Sequence, residues 1–316
     1  MNGKKGNASL DRIVGGEQLR YHNSRYVMEH ARILIAVETQ APTHPALDLG
    51  VPLAEHLRWP VDILCIGRED AESPFPARLE SVTNALSAVG LMGDLVMERG
   101  PFAAGVLRQA QARAGSLLIF SDAHRPRWRR LIHSGRFRQL QAAWPGPLLR
   151  VRQVRWPWQR LLVCSGGLDY TVPLERFMLD LSLILGAHLT VLHVIEPITL
   201  NYPLAQDVQR HGSHLLETHT PQARYFEALL AKAAQLGVPC ELKVRHGPVV
   251  HEILTEIRSG EYDLVGMGSP LSAHSLRRLF RPEVTTLVNT AAEEPLLIMR
   301  QAVDPPDEDH SRAEVT

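Results

Sequence analysis

The chain predicts an α/β protein made of two consecutive copies of one parallel-sheet unit, and three observations predict it. A strand-to-helix turn occurs twice, as Glu98-Arg-Gly-Pro-Phe102 and as Arg245-His-Gly-Pro-Val249. The opening strands Arg32-Ile-Leu-Ile-Ala-Val-Glu38 and Arg160-Leu-Leu-Val-Cys-Ser-Gly166 match, as do the closing strands Pro147-Leu-Leu-Arg-Val-Arg152 and Pro295-Leu-Leu-Ile-Met-Arg300. Between these marks, short β-rich apolar runs alternate with stretches of helical spacing, so parallel strands must be joined by helical crossovers covering both sheet faces. The second copy carries about 20 extra residues, placed by the internal comparison within Pro197 to Thr220.

In the first copy, Ile33–Val37 and Val61–Ile66 read as buried strands and Ala46–Leu57 between them as a helix. Pro76–Val89 is a helix stopped by Gly90, Leu95–Glu98 a strand, Ala103–Ala114 a helix stopped by Gly115, and Leu117–Phe120 a strand. A helix around Phe137–Ala143 and the strand Leu148–Val151 close the unit. The second copy repeats the order: Leu161–Cys164, Leu174–Leu185, Leu189–Ile195, Pro221–Leu236, Cys240–Val244, Val249–Ile257, Leu264–Met267, Thr285–Thr290 and Leu296–Met299. Trp156-Pro157-Trp158 marks the joint, where two tryptophans are expected to pack between the halves. The expected organisation is an N-terminal extension (1–30), a first domain (31–155), a second domain (156–302) and a disordered acidic tail (303–316).

Lys plus Arg and Asp plus Glu both number 34, so the whole molecule exerts no general attraction on nucleic acid or membrane. The balance is uneven along the chain, with ten arginines and no acid between Ala123 and Leu168. Cys65, Cys164 and Cys240 are odd in number and set in apolar runs, which predicts reduced core thiols and no metal cluster. Residues 1–30 lack the apolar core of a signal peptide, and no apolar run approaches the ~20 residues of a membrane helix, so a cytoplasmic protein is expected.

The order and size of the units, the strand-end Val37-Glu38, the Gly-Pro turns and Asp263-Leu-Val-Gly-Met-Gly268-Ser269 resemble the universal stress proteins, over roughly residues 31–302 as a tandem pair. The resemblance implies two Rossmann-like domains of the adenine nucleotide alpha hydrolase type, each a five-stranded parallel sheet with helices on both faces, related by a pseudo-two-fold axis. It implies a non-enzymatic stress-response or regulatory protein that contacts other proteins, forms an intramolecular pseudo-dimer and leaves homodimerisation open. It also implies that any cofactor is an adenine nucleotide, ATP or AMP with magnesium, over the carboxyl ends of the strands. In that family the phosphates lie on a loop of pattern Gly-x2-Gly-x9-Gly-Ser/Thr after the fourth strand, where bare amides and a helix start favour anions. Here Gly268 and Ser269 open the loop of the second copy, but Leu271 and Arg281-Pro282 replace its later glycines, and the first copy has Ser121, His124 and Ser134-Gly135. Glu38 keeps the family's strand-end acid, whereas Gly166 takes that place in the second copy.

A second motif competes. Ser165-Gly166-Gly167-Leu-Asp169-Tyr-Thr171 follows the first strand of copy two and resembles the pyrophosphate loop of the ATP pyrophosphatases, with Tyr170 in place of its final serine. A strand, a paired-glycine turn and a helix start form an anion nest, with Ser165 and Thr171 as added donors and Asp169 as a magnesium ligand or helix N-cap. The candidate binding residues are therefore Ser165, Gly166, Gly167, Asp169, Thr171, Gly268 and Ser269, with no catalytic or metal-ligating residue assigned. An adenylating enzyme using this loop is the alternative from another class. Arg125, Arg127, Arg129, Arg130, Arg136 and Arg138 read as a solvated face pairing with acids of the other half, with phosphate or RNA contact as the rival readings. His211, His214 and His219, with Asp207 and Glu217, lack a compact ligand spacing and read as an exposed loop.

Overall fold

The computed structural model describes residues 31–67, 75–123, 135–167, 171–196, 220–269 and 284–300. Ten strands form one sheet: β1 Ile33–Glu38, β2 Val61–Ile66, β3 Met92–Glu98, β4 Leu117–Ser121, β5 Leu148–Val151, β6 Arg160–Cys164, β7 His188–Ile195, β8 Cys240–His246, β9 Leu264–Ser269 and β10 Leu296–Arg300. The helices are α1 Pro45–Leu57, α2 Phe75–Ala88, α3 Phe102–Arg108, α4 Gly135–Ala143, α5 Val172–Leu185, α6 Pro221–Leu236, α7 Val249–Gly260 and α8 Val284–Ala291.

The strand order β3-β2-β1-β4-β5-β10-β9-β6-β7-β8 is the duplication made visible, since each half runs third, second, first, fourth, fifth. All pairings are parallel except the central one, where β5 and β10 run antiparallel with Leu149 opposite Leu297. The closing strands of the two copies thus join the halves into one sheet, as their matching sequences lead one to expect. Alternate residues along each strand feed two apolar layers. One layer lies under α1, α2, α5 and α6 and the other under α3, α4, α7 and α8, and both contain residues of each half. Trp158 is buried in the first layer between Leu53 and Leu57 of α1 and Phe177 and Leu181 of α5, and Trp156 stacks edge-on to His56, so the boundary tryptophans do pack between halves.

Two arginines of the first half's closing strand secure the join. Arg152 forms a two-pronged ion pair with Asp122 (2.8 and 2.9 Å) and donates to the carbonyls of Asn289 and Ala292, both at 2.6 Å. Arg150, fully buried, donates to Asn289 Oδ1 at 3.0 Å and to Ala292 O at 3.1 Å. Both guanidinium groups therefore meet the carboxyl end of α8 in the second half, where helix carbonyls lack intrahelical donors and a positive charge is favourable.

Most expected elements form within a residue or two of their expected ends; β3 begins three residues early, α7 ends three residues late, and one helix departs further. The helix expected over Ala103–Ala114 stops at Arg108, and residues 109–115 turn irregularly. That turn lets Arg113 reach back to Asp62 (3.0 Å) and Asp94 (3.0 Å) and bond Gln109 (2.6 Å), so a buried acid on β2, bonded also by Arg32 at 2.7 Å, gains a second counterion at the expense of helix length. All three cysteines are free, and burial pushes the Cys65 thiol up to about 12. No described helix is long and apolar enough to cross a membrane. The N-terminal extension and the acidic tail lie outside the described residues.

Candidate functional site

Open parallel sheets bind ligands beyond the carboxyl ends of their strands, and the two halves treat that edge differently. In the first half, β1 ends at Glu38, whose carboxylate takes both prongs of Arg136 at 2.9 and 2.6 Å. Arg136 stands in the first turns of α4, with its guanidinium 4.3 Å from the ring centre of Phe102 on α3. His44 bonds the Glu38 carbonyl at 3.2 Å, and the Ser121 hydroxyl accepts the amide of Ala123 at 3.1 Å. A small cleft between Ala36, Glu38, Ala41, His44 and Ser121 is what remains. The strand-end acid is thus held by a cation of its own half, which corrects, for Arg136, the expectation that it pairs with acids of the other half. Arg138 is exposed, and Arg125, Arg127, Arg129 and Arg130 lie outside the described residues. Breaking a pair whose side chains are 14% and 25% exposed, between the exposed and the buried case, is worth roughly 1–3 kcal/mol. Urea unfolding of Arg136→Ala is expected to show a loss of that size, and a loss several times larger would mean that Arg136 carries core packing as well.

Neither partner of that pair recurs in the second half. Gly166 stands where Glu38 stands, and Val284 opens α8 where Arg136 lies early in α4. The turn after β6 is built instead around a buried acid. Ser165 accepts the Gly167 amide on its hydroxyl oxygen at 3.0 Å and donates its own hydroxyl to Glu175 in the first turn of α5. Tyr225 of α6 donates to the other oxygen of Glu175. Thr171 occupies the N-cap position of α5 with its hydroxyl 3.4 Å from that of Ser165. His193 on β7 bonds the Ser165 carbonyl at 3.0 Å through Nδ1 and packs against the Phe226 ring at 5.0 Å.

Gly167 takes a left-handed conformation (φ +65°), and a Cβ there would stand 3.0 Å from the Phe226 ring, so this glycine is required by the turn itself. Gly268 near the end of β9 is roomier: among the described residues a Cβ would touch only Thr171 Cγ2, at 3.5 Å. Of the expected binding residues, the structure therefore brings Ser165, Gly166, Gly167, Thr171 and Gly268 together at the carboxyl ends of β6 and β9. Ser269 ends β9 beside them. Asp169 lies outside the described residues, and Thr171 holds the N-cap position once considered for it. The histidines of the insertion are also outside the described residues, and among the described residues no group of His, Cys, Asp and Glu is placed to hold a metal ion.

Burial raises the Glu175 carboxyl above the ordinary carboxylate range, against the opposing pull of the Ser165, Tyr225 and Thr171 hydroxyls. A carboxyl whose pKa rises on folding stabilises the protein below its unfolded value of about 4.3 and loses that contribution as pH climbs through the folded value. Glu175→Gln is accordingly expected to be more stable than the parent at pH 8, with the difference vanishing near pH 4, about the unfolded carboxyl value. Urea unfolding at both pH values checks this, and an equal gain at both would show that charge is not the cause.

Residues 157–300 match the model of the Universal stress protein family. A functionally unknown protein of Pseudomonas aeruginosa PAO1 shares the fold with a TM-score of 0.65 at 16% identity, over 87% of this chain and 94% of that one. A universal stress protein of Archaeoglobus fulgidus DSM 4304 does so with a TM-score of 0.58 at 11% identity, over 85% of this chain and 96% of that one. Both likenesses extend over most of each chain, so they take in both halves. Among curated proteins, none is similar enough to match.

Proposed function

We propose, from the match of residues 157–300 to the model of the universal stress protein family, that this chain is a tandem, non-catalytic regulatory protein whose second half alone offers a crevice to an adenine nucleotide. Ligand-dependent contact with partner proteins is its output. The domain limits that go with this proposal are 31–155 and 156–302, with the acidic tail from 303 onward outside both.

The observation that carries it is the asymmetry of the two crevices. In the first half the Glu38–Arg136 pair, backed by Phe102, fills the strand-end position. In the second, the same positions hold Gly166 and Val284, and Gly268 faces Thr171 with van der Waals clearance. Gly166 and Gly268 let a ligand approach the backbone, while Ser165 and Thr171 shape the turn rather than supply free hydroxyls, since Ser165 already donates to Glu175. Catalysis is disfavoured because the turn hydroxyls beside the acid, Ser165 and Thr171, are buried in its network, and no described cation forms an ion pair with that acid to stabilise a departing pyrophosphate.

ATP or AMP, with magnesium carried on the phosphates, is the ligand class this crevice is proposed to take. Isothermal titration of the full chain with ATP should give one site per chain and no pyrophosphate release on incubation. Two sites per chain would contradict the closed first crevice, and sustained pyrophosphate release would favour the adenylating enzyme instead.

A further inference from the structure

We propose that Glu175 couples phosphate binding in the second crevice to uptake of a proton, so that the crevice holds a phosphate-bearing ligand more tightly as pH falls. This inference rests on the nucleotide reading above and specifies how that site is regulated.

The geometry is that of an acid set directly behind an anion turn. Glu175 is 2% exposed and lies in the first turn of α5. Its Oε1 accepts from the Ser165 hydroxyl, whose oxygen in turn accepts the Gly167 amide at 3.0 Å. The helix start favours negative charge, and the protein has placed a negative charge of its own there. The Ser165 amide is bonded to the Leu192 carbonyl and the Gly167 amide to the Ser165 hydroxyl, so a phosphate would be drawn to the helix start, within roughly two or three hydrogen-bond lengths of the carboxylate. At such a separation, with an effective dielectric constant of about 20, two like charges alter affinity on the order of tenfold or more.

Protonating Glu175 removes that repulsion, and its surroundings accommodate the added proton. The proton comes from solvent and forms an O–H bond on one carboxyl oxygen. The Ser165 and Tyr225 hydroxyls, which now donate to the carboxylate, can accept as well, so one of them turns to receive the new donor while the other keeps donating. No heavy atom need move. Burial already biases Glu175 toward its protonated form, and a bound phosphate biases it further.

The groups facing Glu175 are few. Ser165 comes from the turn after β6, Thr171 from the start of α5 and Tyr225 from α6. His193 of β7 reaches the Ser165 carbonyl, and burial lowers its pKa, which keeps it neutral at and above neutrality. No arginine or lysine forms an ion pair with Glu175 among the described residues. Among the described residues, Glu175 is therefore the carboxylate at the turn whose neutralisation would be felt by a phosphate there.

The test is calorimetric titration of the full chain with ATP at pH 6.5 and pH 8, in buffers of different ionisation enthalpy so that proton uptake is read directly. Because ATP titrates in this range as well, the comparison is with Glu175→Gln. That variant is expected to bind ATP at pH 8 on the order of tenfold more tightly than the parent, with a flatter pH dependence and without the parent's extra proton uptake. His193→Asn should keep the parent's response. If parent and Glu175→Gln bind with the same pH dependence and the same proton uptake, the inference is overturned while the nucleotide reading stands. A response abolished by His193→Asn and kept in Glu175→Gln overturns it too, assigning the proton to the histidine. If neither protein binds ATP at either pH, the nucleotide reading fails and takes the inference with it.

Discussion

Arg152→Met is expected to lower the unfolding free energy by about 3–5 kcal/mol, the range seen when one partner of a buried ion pair is removed. The side chain is almost wholly buried, its partner Asp122 nearly so, and its remaining nitrogen holds the carbonyls of Asn289 and Ala292. Methionine fills much of the volume but takes away the two-pronged partner of Asp122 and a donor from each of the Asn289 and Ala292 carbonyls, of which Ala292 keeps Arg150, so the loss comes from weakened pairing of polar groups rather than from a cavity. Guanidinium denaturation followed by circular dichroism measures it. A loss below about 1 kcal/mol, the level of an exposed pair, would mean that water reaches Asp122 and α8 and that the clamp does not hold the halves together.

Leu297→Ala is expected to cost about 2–5 kcal/mol, as buried leucine truncations do. Leu297 faces Leu149 across the antiparallel seam, and both belong to the apolar layer shared by the two halves. Because that layer is continuous, the destabilisation should be felt by the whole molecule. Scanning calorimetry of the parent should show one cooperative transition, shifted down as one in the variant. Two transitions, only one of which moves, would show that the halves fold independently and that the seam is a contact rather than a core. Leu149→Ala combined with Leu297→Ala should cost less or more than the separate losses added together, because residues in contact couple.

The topology was legible because the duplication is written in apolar strands and in the two Gly-Pro turns, and strand order follows from parallel crossovers once the repeat is seen. The closing strands could be matched by eye, yet the role of their arginines could not. Arg150 and Arg152 sit in the apolar closing strand of a stretch of ten arginines without an acid, so nothing nearby marks a partner, and their partners lie more than a hundred residues away at the end of α8, or beyond the end of β4 at Asp122. Helix α3 came out shorter than its spacing suggested for a similar reason: Arg113 is worth more against Asp62 than as one further helical residue.

The crevice was half legible. The glycines of the Ser165–Gly167 turn mark a strand end and a helix start, and the structure places Gly268 beside Thr171 as the order of strands requires. Glu175 carried a signal that went unread. It shares the buried face of α5 with Met178 and Ser182, three and seven residues on, where an amphipathic helix is expected to be apolar. Tyr225 and His193 had no such mark, since only the fold brings α6 and β7 to the same turn. In the first half, the Glu38–Arg136 pair joins residues from opposite ends of the unit, and nothing local announces it.

Gly166→Val tests the central claim most directly, because it adds bulk at the one strand end where the second half differs from the closed first half. The β6 core residues Leu161–Val163 are untouched by it, and Gly166, unlike Gly167, does not require a left-handed backbone. ATP titration of this variant, with its melting temperature measured alongside, is expected to show at least a tenfold loss of affinity at an essentially unchanged melting temperature, the size of effect expected when backbone approach to phosphate is blocked. Unchanged affinity in a folded Gly166→Val protein would contradict it, and would place any bound nucleotide away from the turn after β6.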